Sequence, residues 1–257
     1  LVRTILHPDP IKTVPYVVIL AADLTAISVH LVAGTREPAS GNVPSEHRTG
    51  LVPTRDRGSL LVVHNGGFLA RHGGYAMKVG NDAFLSPRAD ACVVVLSDDG
   101  GVRIGPWSSL ANEAAAAYAY RQTPPCLVQN GGVGPALSEA GRPKRWGGAE
   151  NGDYEIRRSA LGTGTGGRTL LYGLGEHVSP RALAEAMLAA GAVAAAELDV
   201  NWSYTRFFVY DATHGWAGPQ PIDALIPKLP HAAGEYVTRP AERDFFYWAR
   251  RPLPQVP

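Results

Sequence analysis

The sequence predicts an α+β fold: a single domain with a mixed, largely antiparallel twisted sheet and a few packed helices. Three observations predict it. The chain has 29 glycines and 21 prolines among 257 residues, which puts much of it in turns and argues against a helical bundle. Short β-branched runs recur, most of them joined by hairpin-type turns. Only one segment carries a full set of helix start and stop signals. With no internal repeat and no linker, residues 1–257 read as one domain.

Residues 16–20 and 26–32 are strands, alternating and β-branched, with a polar break at 22–25. Residues 34–58 are polar, turn-rich and aperiodic, and a loop of that length predicts a lid or an excursion over a site. A short buried strand at 60–63 runs into His64, Asn65, Gly66, Gly67 and Phe68. Strands at 91–96 and 102–104 form a hairpin around a turn at 97–101. The alanine-rich segment 110–121 reads as a helix ended by Pro124 and Pro125, and 126–129 as a short strand entering Asn130, Gly131 and Gly132.

Segments 157–161 and 169–174 flank a glycine run at 162–167. A phosphate-binding loop would need a helix after the glycines and a Lys–Ser/Thr pair; a strand follows instead, so a hairpin turn is expected. The clearest helix is 180–190. Ser179 caps it, Pro180 takes the first position, Gly191 closes it, and Leu183, Ala186, Met187 and Ala190 form one apolar stripe. Strands at 193–200 and 207–210 follow. In the tail, Pro252, Pro254 and Pro257 cannot continue a sheet ladder.

Lys+Arg 24 against Asp+Glu 23 leaves a net charge of +1, which argues against a nucleic-acid or anionic-membrane binder. No apolar run spans a membrane; the longest candidate, 14–31, is interrupted by Asp23. Cys92 and Cys126 have no metal-ligand spacing and read as two buried thiols, with a single bridge as the alternative. The chain opens on Leu1 rather than Met, which predicts a removed signal peptide and a secreted or cell-envelope protein. Lysine is scarce, 4 residues against 20 arginines, a bias of GC-rich bacterial genomes.

Three strands each deliver a polar residue into a turn: at Asn65, Gly66 and Gly67; at Asn130 and Gly131; and at Asp199, Asn201 and Trp202. Glycine lets a ligand approach the backbone, and asparagine offers both a donor and an acceptor to sugar hydroxyls or phosphate oxygens. Asn-Gly is also the commonest hairpin turn. Asp199 ends an otherwise apolar strand, where an unpaired carboxylate is costly. Glu197, two residues earlier, projects from the same face, about 6.6 Å away along the backbone. That spacing suits either geometry of a glycosidase carboxylate pair, and also a structural pair held by arginines.

These residues resemble the phosphodiester glycosidase family. Its landmarks occur in order: Asn-Gly-Gly-Phe at Asn65–Phe68 with Gly73, Gly74 and Tyr75 after it, Asn-Gly at Asn130–Gly131, and Arg-Ser-Ala-Leu-Gly at Arg158–Gly162. A helix ending in Gly191 and Ala192 then precedes Leu198–Asp199, and Arg243–Asp244–Phe245–Phe246 looks like a bacterial variant of a closing motif. The resemblance covers about residues 60–210. One departure stands out: the family reads Leu-Asp-Gly-Gly-Gly-Ser where this chain has Leu198–Asp199–Val200–Asn201–Trp202–Ser203. Trp202 there either stacks on a sugar or fills the space of the glycines.

The resemblance implies a glycoside hydrolase acting at the anomeric carbon of a sugar, such as a sugar-1-phosphodiester or a bacterial envelope glycan. Asp199 is the leading catalytic carboxylate and Glu197 its candidate partner. Asn65, Gly66, Gly67, Asn130, Gly131, Arg158, Asn201 and Trp202 are expected to bind substrate, Arg158 through its planar fork. His64 and His72 are reserve proton carriers. Carbohydrate is the expected partner; no cofactor or metal is implied. The alternatives are a glycan-binding module with the same pocket and no catalysis, and a metal-dependent hydrolase using Asp199, Glu197 and His64.

Overall fold

A computed structural model describes residues 1–8, 11, 14–98, 100–138, 143–148, 154–211, 218–227, 229, 232 and 234–252. The α+β class is observed, with three antiparallel sheets in place of one mixed sheet. The first has seven strands, in the order Val2–Leu6, Tyr16–Asp23, Thr169–Val178, Ile156–Gly164, Ala192–Val200, Val128–Gln129 and Gly132–Val133. The second has five: Gln220–Ala224, Phe207–Asp211, Leu60–Asn65, Phe245–Arg250 and Ile27–Val32. The third orders Asp82–Ala83, Met77–Val79, Ala119–Thr123, Cys92–Leu96 and Val102–Pro106. The expected hairpin is observed, but its connection is only residues 165–168, and Gly162, Thr163 and Gly164 belong to the strand before it.

The helix Pro180–Ala189 begins where its cap predicts, with Ser179 Oγ accepting from Ala182 N at 3.2 Å. It lays Leu183 and Met187 on the seven-stranded sheet. Gly162 and Gly173 sit beneath Met187, where a Cβ at either would come within 2.7 Å of that side chain. A second apolar cluster joins all three sheets, bringing Leu198, Trp248 and Val94 into one core.

Three expectations change. The alanine-rich helix stops early, at Trp107–Ala116, and Ala119–Thr123 is a strand. That strand is paired on both sides, by Met77–Val79 and Cys92–Leu96, and its tertiary ladder overrides alanine's helix propensity. Cys92 and Cys126 form a disulfide rather than two thiols. The closing motif at Arg243–Phe246 leads into a strand, Phe245–Arg250, that carries no period-two signal because residues 245–249 are buried on both faces.

Loop 34–58 is the third: it clamps the segment before Phe245 instead of covering a site. Thr35 N donates to Ala241 O at 3.0 Å, Glu37 N to Glu242 O at 2.9 Å, and Ala241 N to Gly50 O at 2.8 Å. Pro252 follows the last strand, while Pro254 and Pro257 lie outside the described residues.

Candidate active site

Asp199 lies on a β-bulge. Ala160 pairs with Glu197 and Arg158 with Val200, so Leu198 and Asp199 together oppose Ser159. Bulges re-aim side chains, and here the two acids part company. Glu197 Oε1 accepts from Arg158 Nη1 at 2.9 Å, with both side chains fully buried. Asp199 instead lines two cavities, of about 810 and 480 Å³. Both volumes fall in the range of small-molecule sites.

The backbone of Asp199 is fixed from its own sheet and from the turn that follows Leu60–Asn65. Its N–H donates to Gly66 O at 2.9 Å, and its carbonyl accepts from Ser159 Oγ at 2.8 Å. Asn65 ties this junction together. Its Oδ1 accepts from Tyr172 Oη at 2.9 Å and from Arg206 N at 3.0 Å, while its Nδ2 donates to Ser159 Oγ at 3.0 Å. Asn65 therefore holds the site's frame and has little capacity left for a ligand.

Gly66 and Gly67 owe their identity to a buried ion pair. A Cβ on Gly66 would sit 2.0 Å from Asp244 Oδ2, and one on Gly67 2.7 Å from Arg121 Cζ. Arg121 binds Asp244 through Nε at 2.9 Å and gives its remaining N–H groups to Tyr75 O, Gln122 O, Phe68 O and Asp244 Oδ1. Asp244 Oδ2 also accepts from Gly67 N at 2.9 Å. Gly66 borders the smaller cavity, and Gly67 borders neither.

Arg243, just before Asp244, points the other way. Its Nη2 pairs with Asp199 Oδ2, and its guanidinium lies 4.2 Å over the Tyr204 ring. Its Nη1 is buried and has no protein acceptor among the described residues. Arg243 and Tyr204 border both cavities, as Asp199 does. Burial pushes the Asp199 carboxyl up to about 7, against the opposing pull of Arg243 and of the Val200 N–H.

The other expected residues divide clearly. Asn201 borders the larger cavity and donates to Gly148 O at 3.3 Å. Trp202 borders neither; it packs on His177 at 4.8 Å and under the Arg157 guanidinium at 4.9 Å. Arg158 is fully buried, and its five N–H groups go to Val178 O, Trp146 O, Glu197 Oε1, Gly147 O and Tyr154 O, leaving none for a substrate. Asn130 and Gly131 form an exposed hairpin turn with φ of 53° and 73°. Gly131 N bonds Val193 O, at the opposite end of the strand from Asp199, so this turn is remote from the site.

His64 lies in an aromatic core, where its Nε2 accepts from Trp248 Nε1 at 3.1 Å and burial lowers its pKa to about 3. It neither carries protons to the cavities nor joins Asp199 and Glu197. No group of three His, Cys, Asp or Glu side chains among the described residues is placed to hold a metal. His72 does border the larger cavity.

The sequence matches no protein-family model and no curated protein. The fold does have relatives. The catalytic domain of zebrafish N-acetylglucosamine-1-phosphodiester alpha-N-acetylglucosaminidase, auto-inhibited by its pro-peptide, superposes with a TM-score of 0.56 at 14% identity, over 97% of this chain and 83% of that one. The likeness is one of fold. A hypothetical protein from Synechocystis is similar to the same degree, with a TM-score of 0.55 at 10% identity, and this chain spans 61% of its length. The expected resemblance thus holds at the level of architecture, without sequence-level support.

Proposed function

We propose that this protein is a glycoside hydrolase that cleaves a sugar from a phosphodiester at the anomeric carbon. One observation carries the reading: Asp199 lines two cavities and is paired with an Arg243 guanidinium whose buried Nη1 has no acceptor among the described residues. The ionised carboxylate takes a proton from water as the water oxygen bonds to the anomeric carbon. The bond from that carbon to the phosphate oxygen breaks, its electron pair stays on the phosphate, and Arg243 holds the departing anion. A phosphate departs without a proton, so a second carboxyl is not required, and Glu197 remains the partner of Arg158. A single displacement of this kind inverts configuration.

The name of the zebrafish domain with this fold specifies a sugar-1-phosphodiester, which supports the same linkage here. The Cys92–Cys126 bridge supports a secreted or cell-envelope location, because disulfides persist in oxidising compartments. The test is a panel of aryl glycosides and sugar-1-phosphodiesters, with products and their anomeric configuration followed by NMR. Release of an inverted sugar and a phosphomonoester is expected. Saturable binding of these compounds with no product from any of them would make the protein a glycan-binding module instead.

A further inference from the structure

We propose that the larger cavity is a subsite for an acidic sugar, one bearing a carboxylate or phosphate in addition to the linkage phosphate, and that Arg71 recognises this second acid. The inference rests on the reading of Asp199 and Arg243 above. Beyond those two shared residues, the described residues bordering the larger cavity include Arg71 and Arg88 with one acid, Asp90, and Arg145 at the same edge. Arg88 grips Asp90 through Nε and Nη2, each at 3.1 Å, and Arg145 approaches the same carboxylate at 3.8 Å. Asp90 is already held by Arg88, so among the described residues Arg71 is left as surplus positive charge.

Arg71 makes no ion pair with a carboxylate among the described residues. Its Nε donates to His72 Nε2 at 3.3 Å, a contact that needs an unprotonated ring nitrogen. Burial and the charges of Arg71 and Arg243 lower the pKa of His72, which keeps the ring neutral between two cations. Phe68 and Tyr75 supply an apolar wall beside these charges, as a sugar face requires.

The smaller cavity lacks the surplus. There Arg206 and Arg239 stand against Glu235, Glu242 and Asp244, the last already paired with Arg121. The asymmetry gives the substrate a direction: its acidic half enters the larger cavity, with the linkage phosphate at Arg243.

The test measures calorimetric binding of α-glucose 1-phosphate and α-glucuronic acid 1-phosphate to Asp199→Asn, which blocks turnover. The uronate is expected to bind about tenfold tighter, the gain of one charge-assisted contact. Adding Arg71→Gln should make the two ligands bind alike. Equal affinities before that change, a gap that survives it, or no binding of either ligand would overturn the subsite. Hydrolysis of a neutral sugar-1-phosphodiester by the unmodified protein is scored separately. Turnover with no uronate preference sinks the subsite alone; a uronate preference without turnover of any phosphodiester sinks the hydrolase reading alone.

Discussion

Arg158 Nη1 donates to Glu197 Oε1 at 2.9 Å, and neither side chain is exposed to solvent. The pair sits one strand pairing away from Asp199, yet it borders neither cavity. Removing one member of a buried pair leaves the other charge uncompensated, at a cost of about 3–5 kcal/mol. Glu197→Gln should therefore lose stability of that order in urea denaturation. The fraction that stays folded should keep kcat within about threefold, since the carboxyl does not touch substrate. A loss of kcat by two orders of magnitude with stability intact would instead make Glu197 catalytic.

Asp199→Asn should lower kcat on a sugar-1-phosphodiester by about 10²–10⁴-fold, the usual contribution of a positioned base. In the unmodified protein, activity should rise with pH through about 7, because the base acts ionised and burial holds its carboxyl there. A profile that falls across this range would assign Asp199 the role of acid.

The same titration has a stability consequence of known sign. The folded protein binds the Asp199 proton more tightly than the unfolded chain does, so the stability it lends is complete below the ordinary carboxylate range and is lost as pH rises through about 7. The Tm of the unmodified protein relative to Asp199→Asn should decline between about pH 5 and pH 8. Paired thermal melts across that range check it.

Arg243→Ala should reduce kcat by about 10²–10³-fold, as loss of a group aimed at developing charge does. It should also move the pH midpoint of the residual activity upward, since Arg243 is the largest influence holding the Asp199 carboxyl down. Arg243→Lys keeps the charge but not the fork, and should recover the midpoint better than the rate. An unmoved midpoint in Arg243→Ala would separate the two residues functionally.

Gly66→Ala should destabilise the fold by about 3 kcal/mol or more, because the new methyl collides with Asp244 and disturbs its buried pair with Arg121. Chemical denaturation reads this directly. A neutral outcome would mean that the turn is open enough to admit substrate.

Opening the Cys92–Cys126 bridge, which spans 34 residues of sequence, should cost about 3–4 kcal/mol by the loop-closure relation. Melts of the double serine variant, compared with reduced and oxidised protein, measure it.

Much of this architecture was written into local pattern. The hairpins, the Ser179-capped helix and the strands leading to Asn65 and Asp199 all follow from turn chemistry and apolar spacing, because those forces act over a few residues. Asp199 itself stood out as an acid at the end of an apolar strand. The composition of the site did not follow in the same way. The bulge between Glu197 and Val200 depends on pairing with Ile156–Gly164, and it alone parts two acids that a regular strand would keep together. Arg243 was visible only as part of a closing motif. It reaches Asp199 because loop 34–58 clamps the segment that carries it. Sequence pattern determined which strands end in polar turns. Only the tertiary structure decided that Arg158 and Arg121 are saturated and buried while Arg243 opens to a cavity, because a guanidinium's role depends on which acceptors surround it.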